Sequence, residues 1–123
     1  MKIRDYFSND FETGEDHYLP SLKTRYYRCR IEDVKAAILR FVEEEKGAVK
    51  AIMDEHHEIF FVTPNYSSTI TYINTRIGEA AIDIKITTYR LIPWGAGKKT
   101  IERMYKYFDA HLPFKGVSLY RGS

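Results

Sequence analysis

The sequence predicts an α+β protein of two layers, in which two helices cover one face of a four- or five-stranded antiparallel sheet. Isoleucines alternate with polar residues over positions 82–87, which is the pattern of a strand with one buried face. The segment after residue 98 instead repeats its apolar residues at helical spacing. Because a run of strand-like segments separates two helix-like segments, in the order β-α-β-β-β-β-α, we expect an antiparallel sheet with both helices on one face.

Length and composition predict a single domain preceded by an arm. The chain has 123 residues, of which 44% are apolar, and this suffices for one hydrophobic core. Residues 1–20 show no sustained periodicity and are rich in acidic side chains, so we expect an acidic N-terminal arm that is at most partly ordered. Residues 21–123 then form the α+β domain.

The first strand and the first helix are predicted between residues 22 and 47. Residues 22–30 alternate in the manner of a strand. Asp33 opens the helix, because a carboxylate is favoured at the positive end of the helix dipole. Gly47 is expected just after the helix, in the left-handed conformation that glycine tolerates. The apolar stripe of this helix contains Val34, Ala37, Ile38, Phe41 and Val42.

The next strands follow as a hairpin and two further segments. Residues 48–53 and 58–63 form the hairpin, with its turn at residues 54–57. Residues 68–76 are rich in Thr, Tyr and Ile, which strands favour. Gly78 marks the turn into the isoleucine-rich strand.

The last helix is predicted to begin at Lys98, after a tight glycine-containing connection over residues 91–97. Pro113 and Gly116 break the periodicity beyond the helix, and residues 117–120 are expected as a short edge strand or a tail. The buried stripe of this helix contains Ile101, Met104, Tyr105, Phe108 and Leu112.

The sequence also predicts a soluble, cytoplasmic protein that has no membrane segment. Cys29 is the only cysteine, so no internal disulfide can form, and this fits a reducing compartment. The first seven residues contain charges and no apolar stretch typical of a signal peptide. The longest strictly apolar run, over residues 59–62, is far too short to span a bilayer.

The segment from Gly95 to Thr100 is the strongest candidate for an anion site. Gly95, Gly97, Lys98 and Lys99 lie between a predicted strand and a predicted helix, where exposed amides and the helix dipole can hold a phosphate. The Walker pattern for nucleotide hydrolysis fails, because Ile92 stands at the first glycine position and Lys99 follows the lysine. Two interpretations stay open: an anion site, or a turn whose glycines only permit the chain to reverse.

Two further groups of residues favour structural roles. Residues 54–58 read Asp-Glu-His-His-Glu, but adjacent side chains in a turn point apart, so we expect no metal there. Cys29 has Arg28 and Arg30 beside it, which can lower a thiol pKa. Neighbours along a strand lie on opposite faces, however, so we expect a buried structural thiol.

We expect the protein to bind a ligand and not to catalyse a reaction, because no Ser-His-Asp arrangement or cofactor motif is readable. In the first hypothesis the sheet and the last helix enclose a small apolar ligand, or hold an anionic one at residues 94–99. The aromatic residues expected to line that space could equally fill an ordinary core; they are Phe41, Phe60, Tyr72, Tyr105 and Phe108. The ligand-binding candidates are therefore Trp94, Gly95, Gly97, Lys98, Lys99, Tyr72, Tyr105 and Phe108.

In the second hypothesis the protein is an interaction module that forms a homodimer through the second face of its sheet. That face is expected to be mixed polar and aromatic, and to carry Tyr26, Arg28, Asp83, Lys85, Thr87 and Tyr89. Basic and aromatic side chains on strands can also stack single-stranded bases. A formal net charge of only +2 argues against a nucleic-acid partner.

Three segments resemble small uncharacterised cytosolic proteins of Bacillus-type bacteria (Firmicutes). They are Leu22–Tyr27, Ala81–Thr88 and His111–Leu119, so the resemblance covers residues 22–119 and leaves out the arm. Such proteins often have an aspartate and aromatic residues where this chain reads Trp-Gly-Ala-Gly at 94–97, and there the chain departs from the pattern. The resemblance implies a cytosolic single-domain protein and brings no assigned activity or catalytic residue.

Overall fold

The computed structural model describes residues 7–15, 17, 19 and 22–117 and confirms the α+β class. The described residues form two helices and seven strands. In order, the elements are β1 (Phe7–Glu12), β2 (Arg25–Tyr27), α1 (Ile31–Glu44), β3 (Ala48–Met53), β4 (Glu58–Val62), β5 (Tyr66–Arg76), β6 (Glu79–Pro93), α2 (Trp94–His111) and β7 (Phe114–Val117).

The seven strands form one antiparallel sheet in which β6 is the longest strand. Along one edge of β6 lies β5, followed by β4 and β3. The other edge is shared: β2 pairs with residues 80–82, and β1 pairs with residues 85–93. Strand β7 pairs with the far side of β2.

The strand count exceeds the four or five predicted. Residues 7–12, expected within an acidic arm, form β1, because the edge of β6 beyond β2 offers them backbone partners. Strand β7 begins at Phe114 and not at Val117, while residues 118–120 lie outside the described part of the chain. The first predicted strand is also shorter than expected, since only Arg25–Tyr27 is regular.

The isoleucines of β6 and the last helix share one core, as their spacing predicts. Ile82, Ile84 and Ile86 lie in the same buried cluster as Met104 and Phe108 of α2. Burying such side chains contributes roughly 1.5–3 kcal/mol each, so this contact helps to hold α2 against the sheet. The opposite face of the sheet, which we call the open face, carries the alternating residues such as Asp83, Lys85 and Thr87.

Helix α1 ends differently from the prediction. Lys46, and not Gly47, adopts the left-handed conformation, with φ at 58°. The Gly47 amide donates to the Val42 carbonyl and the Lys46 amide to the Glu43 carbonyl, which together close the helix. Gly47 serves close packing instead, because an added Cβ would lie 2.8 Å from the Val62 carbonyl oxygen.

The junction between β6 and α2 also corrects the prediction. Residues 91–97 were expected as a connection, but β6 continues through Pro93 and α2 begins at Trp94. Gly95 and Gly97 therefore lie in the first turn of a helix, and no glycine loop precedes it. Gly97 is buried, and the ring of Phe11 from β1 lies directly above it.

Three buried tyrosine hydroxyls predict a loss of stability at alkaline pH. Tyr27 donates to Asp109, Tyr66 to Glu45, and Tyr105 to the Ile82 carbonyl. Burial is the largest of the effects that raise the pKa of each tyrosine above its usual value. Each of these tyrosines therefore holds its proton more tightly in the folded protein than in the unfolded chain. Its contribution to stability is complete below the unfolded-state pKa of about 10 and is lost as the pH rises above that value.

We therefore expect cooperative unfolding above about pH 10, with part of the tyrosinate absorbance appearing only as circular dichroism is lost. A pH titration that follows both signals tests this. Complete ionisation of all tyrosines in a chain that keeps its secondary structure would contradict it.

Candidate functional site: a groove on the open face

The open face of the sheet carries a groove of about 570 Å³ that β1, β3, β4, β5 and β6 line together. Its side chains come from the strand positions that alternate with the buried core. Strand pairing arranges most of them in two rows that run across the strands.

The first row is acidic. Pairing brings Met53 opposite Glu58, Glu58 opposite Thr71, and Thr71 opposite Asp83. Because neighbouring strands lie about 4.8 Å apart, the backbones of Glu58 and Asp83 are about 10 Å apart, with Thr71 between them. The Thr71 hydroxyl donates to Glu58 Oε2 at 3.4 Å. The row therefore holds two carboxylates and no basic side chain.

The second row is apolar at one end and charged at the other. It contains Ala51, Phe60, Thr69, Lys85 and Glu12, each opposite the next. Glu12 and Lys85 carry opposite charges on directly paired positions, so that end of the row is close to neutral. Phe60 and Ala51, together with Met53 of the first row, give the groove an apolar end.

Asp83 is fixed by two threonines from different parts of the chain. Its Oδ1 accepts hydrogen bonds from the Thr13 hydroxyl at 2.6 Å and from the Thr24 hydroxyl at 2.7 Å. Asp83 lies between the residues of β6 that pair with β2 and those that pair with β1. Thr13 also exchanges hydrogen bonds with the backbone of Ile84. The carboxylate is thus held in place before any ligand arrives.

The aromatic candidates predicted from the sequence do not line this groove. Tyr72, Tyr105 and Phe108 are buried on the helix side, where at most 2% of each is exposed, and they fill the core. Phe41 lies with them. Phe60, expected beside them, lies on the open face instead, because it alternates with two buried residues of β4.

The candidates at the start of α2 lie outside the groove as well. Trp94 is half-buried and packs edge-on against Phe11, with ring centroids 5.5 Å apart. Lys98 pairs with Glu102 one turn later at 3.7 Å, and Lys99 is exposed. Together with Gly95 and Gly97, these residues form a helical turn.

The cysteine and the histidine-rich turn have structural surroundings. Burial first, and then the charge of Asp33, raise the pKa of the Cys29 thiol to about 11, so the thiol stays protonated near neutral pH. Asp54 pairs with Lys35, and the His57 ring stacks on Tyr72. Within the described residues, no three His, Cys, Asp or Glu side chains are grouped to hold a metal ion.

Sequence reasoning identified Asp83 and Lys85 on the open face but missed Glu12, Glu58 and Thr71 as their neighbours. Alternation along β5 would have assigned Thr71 to a face. It could not have shown that Glu58, Thr71 and Asp83 fall in one row, because that depends on the register between strands.

Comparisons with known proteins add no relative. The chain matches no protein-family model, no curated protein and no solved structure. The resemblance noted from the sequence therefore stays a prediction. Neither helix of the described chain is long and apolar enough to cross a membrane.

Proposed function

We propose that this protein is a cytoplasmic binding protein that holds a small organic cation with a short apolar body in the open-face groove, without a catalytic step. The observation that carries the proposal is the acidic row: Glu58 and Asp83 flank Thr71, and no basic side chain stands in the row. An ammonium group lying over Thr71 can reach a carboxylate on either side.

The chemistry of the groove favours a cation over an anion. A charge-assisted hydrogen bond from an ammonium to a carboxylate contributes about 1.5–3 kcal/mol. Asp83 is already oriented by its two threonines, so little ordering is needed on binding. The apolar body of the ligand can pack on Phe60 and Met53, which line the same groove.

The groove is preferred to the space between the sheet and α2, where the sequence suggested an apolar or anionic ligand. Tyr105 and Phe108 are buried in that space, and the Tyr105 hydroxyl already donates to the Ile82 carbonyl at 2.8 Å. A ligand there would have to displace well-packed side chains, whereas the groove is open to solvent.

The test compares hexylammonium with hexanoate by calorimetry and by nuclear magnetic resonance. We expect hexylammonium to bind with a dissociation constant of about 0.1 mM and to shift the amide signals of Phe60 and Thr71. The Glu58→Gln variant should bind about tenfold more weakly, because one charge-assisted hydrogen bond is lost. Glu55→Gln, in the exposed turn outside the groove, is the matched control and should bind as the native chain does.

Equal binding of hexanoate and hexylammonium, or unchanged binding by Glu58→Gln, would overturn the proposal. The sequence also suggested a homodimer through the open face, and such a dimer would bury the groove. Light scattering with and without hexylammonium separates the two cases, since dimerisation through that face would decline as the amine binds.

A further inference from the structure

We propose that two copies of this chain join through the outer edge of β3, in an antiparallel pair that continues the sheet across a twofold axis. Within residues 7–15, 17, 19 and 22–117, β3 pairs with β4 alone, so its other edge has no strand beside it. Three of its apolar side chains are well exposed: Val49 at 37%, Ile52 at 41% and Met53 at 37%. A free strand edge with apolar side chains is a template for another strand.

The irregularity in β3 determines which side chains share a face. Its register with β4 shifts between Val49 and Ala51, leaving Lys50 without a paired residue. As a result, Val49 and Ile52 both lie on the helix side, opposite the buried Phe61 and Ile59.

The other three residues of β3 lie on the open face, opposite residues of β4 that are only half-buried. They are Ala48, Ala51 and Met53. Read from either end, the strand begins with an open-face residue followed by a helix-side one. This symmetry of faces is what a twofold axis requires, because each strand must present the same pattern to its copy.

One antiparallel register satisfies this symmetry over the whole strand. It sets Val49 opposite Ile52 of the second copy, and Ala48 opposite Met53 of the second copy, so every apolar pair lies on a single face. Lys50 then faces Ala51 of the second copy. A slip by one residue in one direction would set Lys50 opposite Lys50 of the second copy. It would also pair helix-side residues with open-face residues. The edge lysine, which usually discourages strand pairing, here disfavours that slipped register.

A six-residue strand buries less area than a standard interface, so we expect a weak dimer with a dissociation constant of about 0.1 mM.

Sedimentation velocity from micromolar to millimolar concentration tests the proposal. We expect a reversible monomer–dimer equilibrium that Val49→Lys weakens about tenfold, because each copy then places a charged side chain against Ile52 of the other. Glu43→Lys, an exposed charge reversal on α1, is the control and should leave association unchanged. A monomer at every concentration, or association that Val49→Lys leaves unchanged, would overturn the proposal.

A disulfide test checks the register without relying on charge. In a Cys29→Ser background, Val49→Cys protein mixed with Ile52→Cys protein should form a mixed disulfide dimer under mild oxidation. Each variant alone should cross-link at least about fivefold less, because each cysteine then faces an apolar residue. Equal cross-linking of the single variants would overturn this register.

Discussion

Replacing Gly97 by alanine is expected to lower the free energy of unfolding by about 2–3 kcal/mol. An added Cβ would lie 2.3 Å from Cε1 of the Phe11 ring and 2.4 Å from two further ring atoms. The ring cannot swing aside without losing other contacts, because only 2% of Phe11 is exposed and it packs against Trp94. The substitution should therefore push β1 away from α2.

Gly95 provides the matched control for this prediction. It lies two residues earlier in the same helical turn, and an added Cβ there would meet no atom within 4 Å. We expect Gly95→Ala to stabilise the protein by up to about 1 kcal/mol, because alanine loses less backbone entropy in a helix. Urea unfolding of both variants measures the difference, and equal effects would contradict the close packing of Phe11 on Gly97.

Replacing Asp109 by alanine is expected to cost about 3 kcal/mol, because it leaves a largely buried guanidinium without its counter-charge. Asp109 accepts hydrogen bonds from Arg25 Nη2 at 2.7 Å and Nε at 3.2 Å. Only 17% of the Arg25 side chain is exposed, and its guanidinium lies 4.2 Å from the Phe114 ring centroid and 5.2 Å from that of Tyr105. The cluster therefore ties β2 to α2 and β7.

The hydroxyl of Tyr27 also donates to Asp109, at 2.7 Å, so the substitution leaves a second buried donor without its acceptor. We expect Asp109→Asn to cost less than Asp109→Ala, since an amide oxygen can still accept one of these bonds. The exposed pair Arg30–Glu32, whose side chains are 76% and 70% exposed, is the control. Glu32→Ala should change stability by less than about 0.5 kcal/mol, and a similar loss at both sites would refute the buried cluster.

The sequence predicts best where neighbouring residues alone decide the outcome. The alternation of isoleucines over 82–87 assigned each residue of that strand to its face, and the stripe from Ile101 to Phe108 identified the buried side of α2. Both patterns report burial with a fixed period, which does not depend on the partner.

The prediction failed where local pattern carries no such signal. Residues 59–62 are all apolar, so alternation could not show that Phe60 faces away from the core. Residues 7–12 contain little apolar alternation, and they form a strand because β6 offers a free edge. The sequence leaves Gly97 either in an anion site or in a turn, whereas Phe11, distant in sequence, explains why no larger residue fits.

The sequence by itself determined the α+β class, the two helices, most of the strands and the buried faces of β6 and α2. Only the tertiary structure decided which residues meet across the sheet: the row of Glu58, Thr71 and Asp83, and the free edge of β3. The physical reason is that periodicity records burial along one segment, whereas the pairing register arises from backbone hydrogen bonds between segments far apart in the chain.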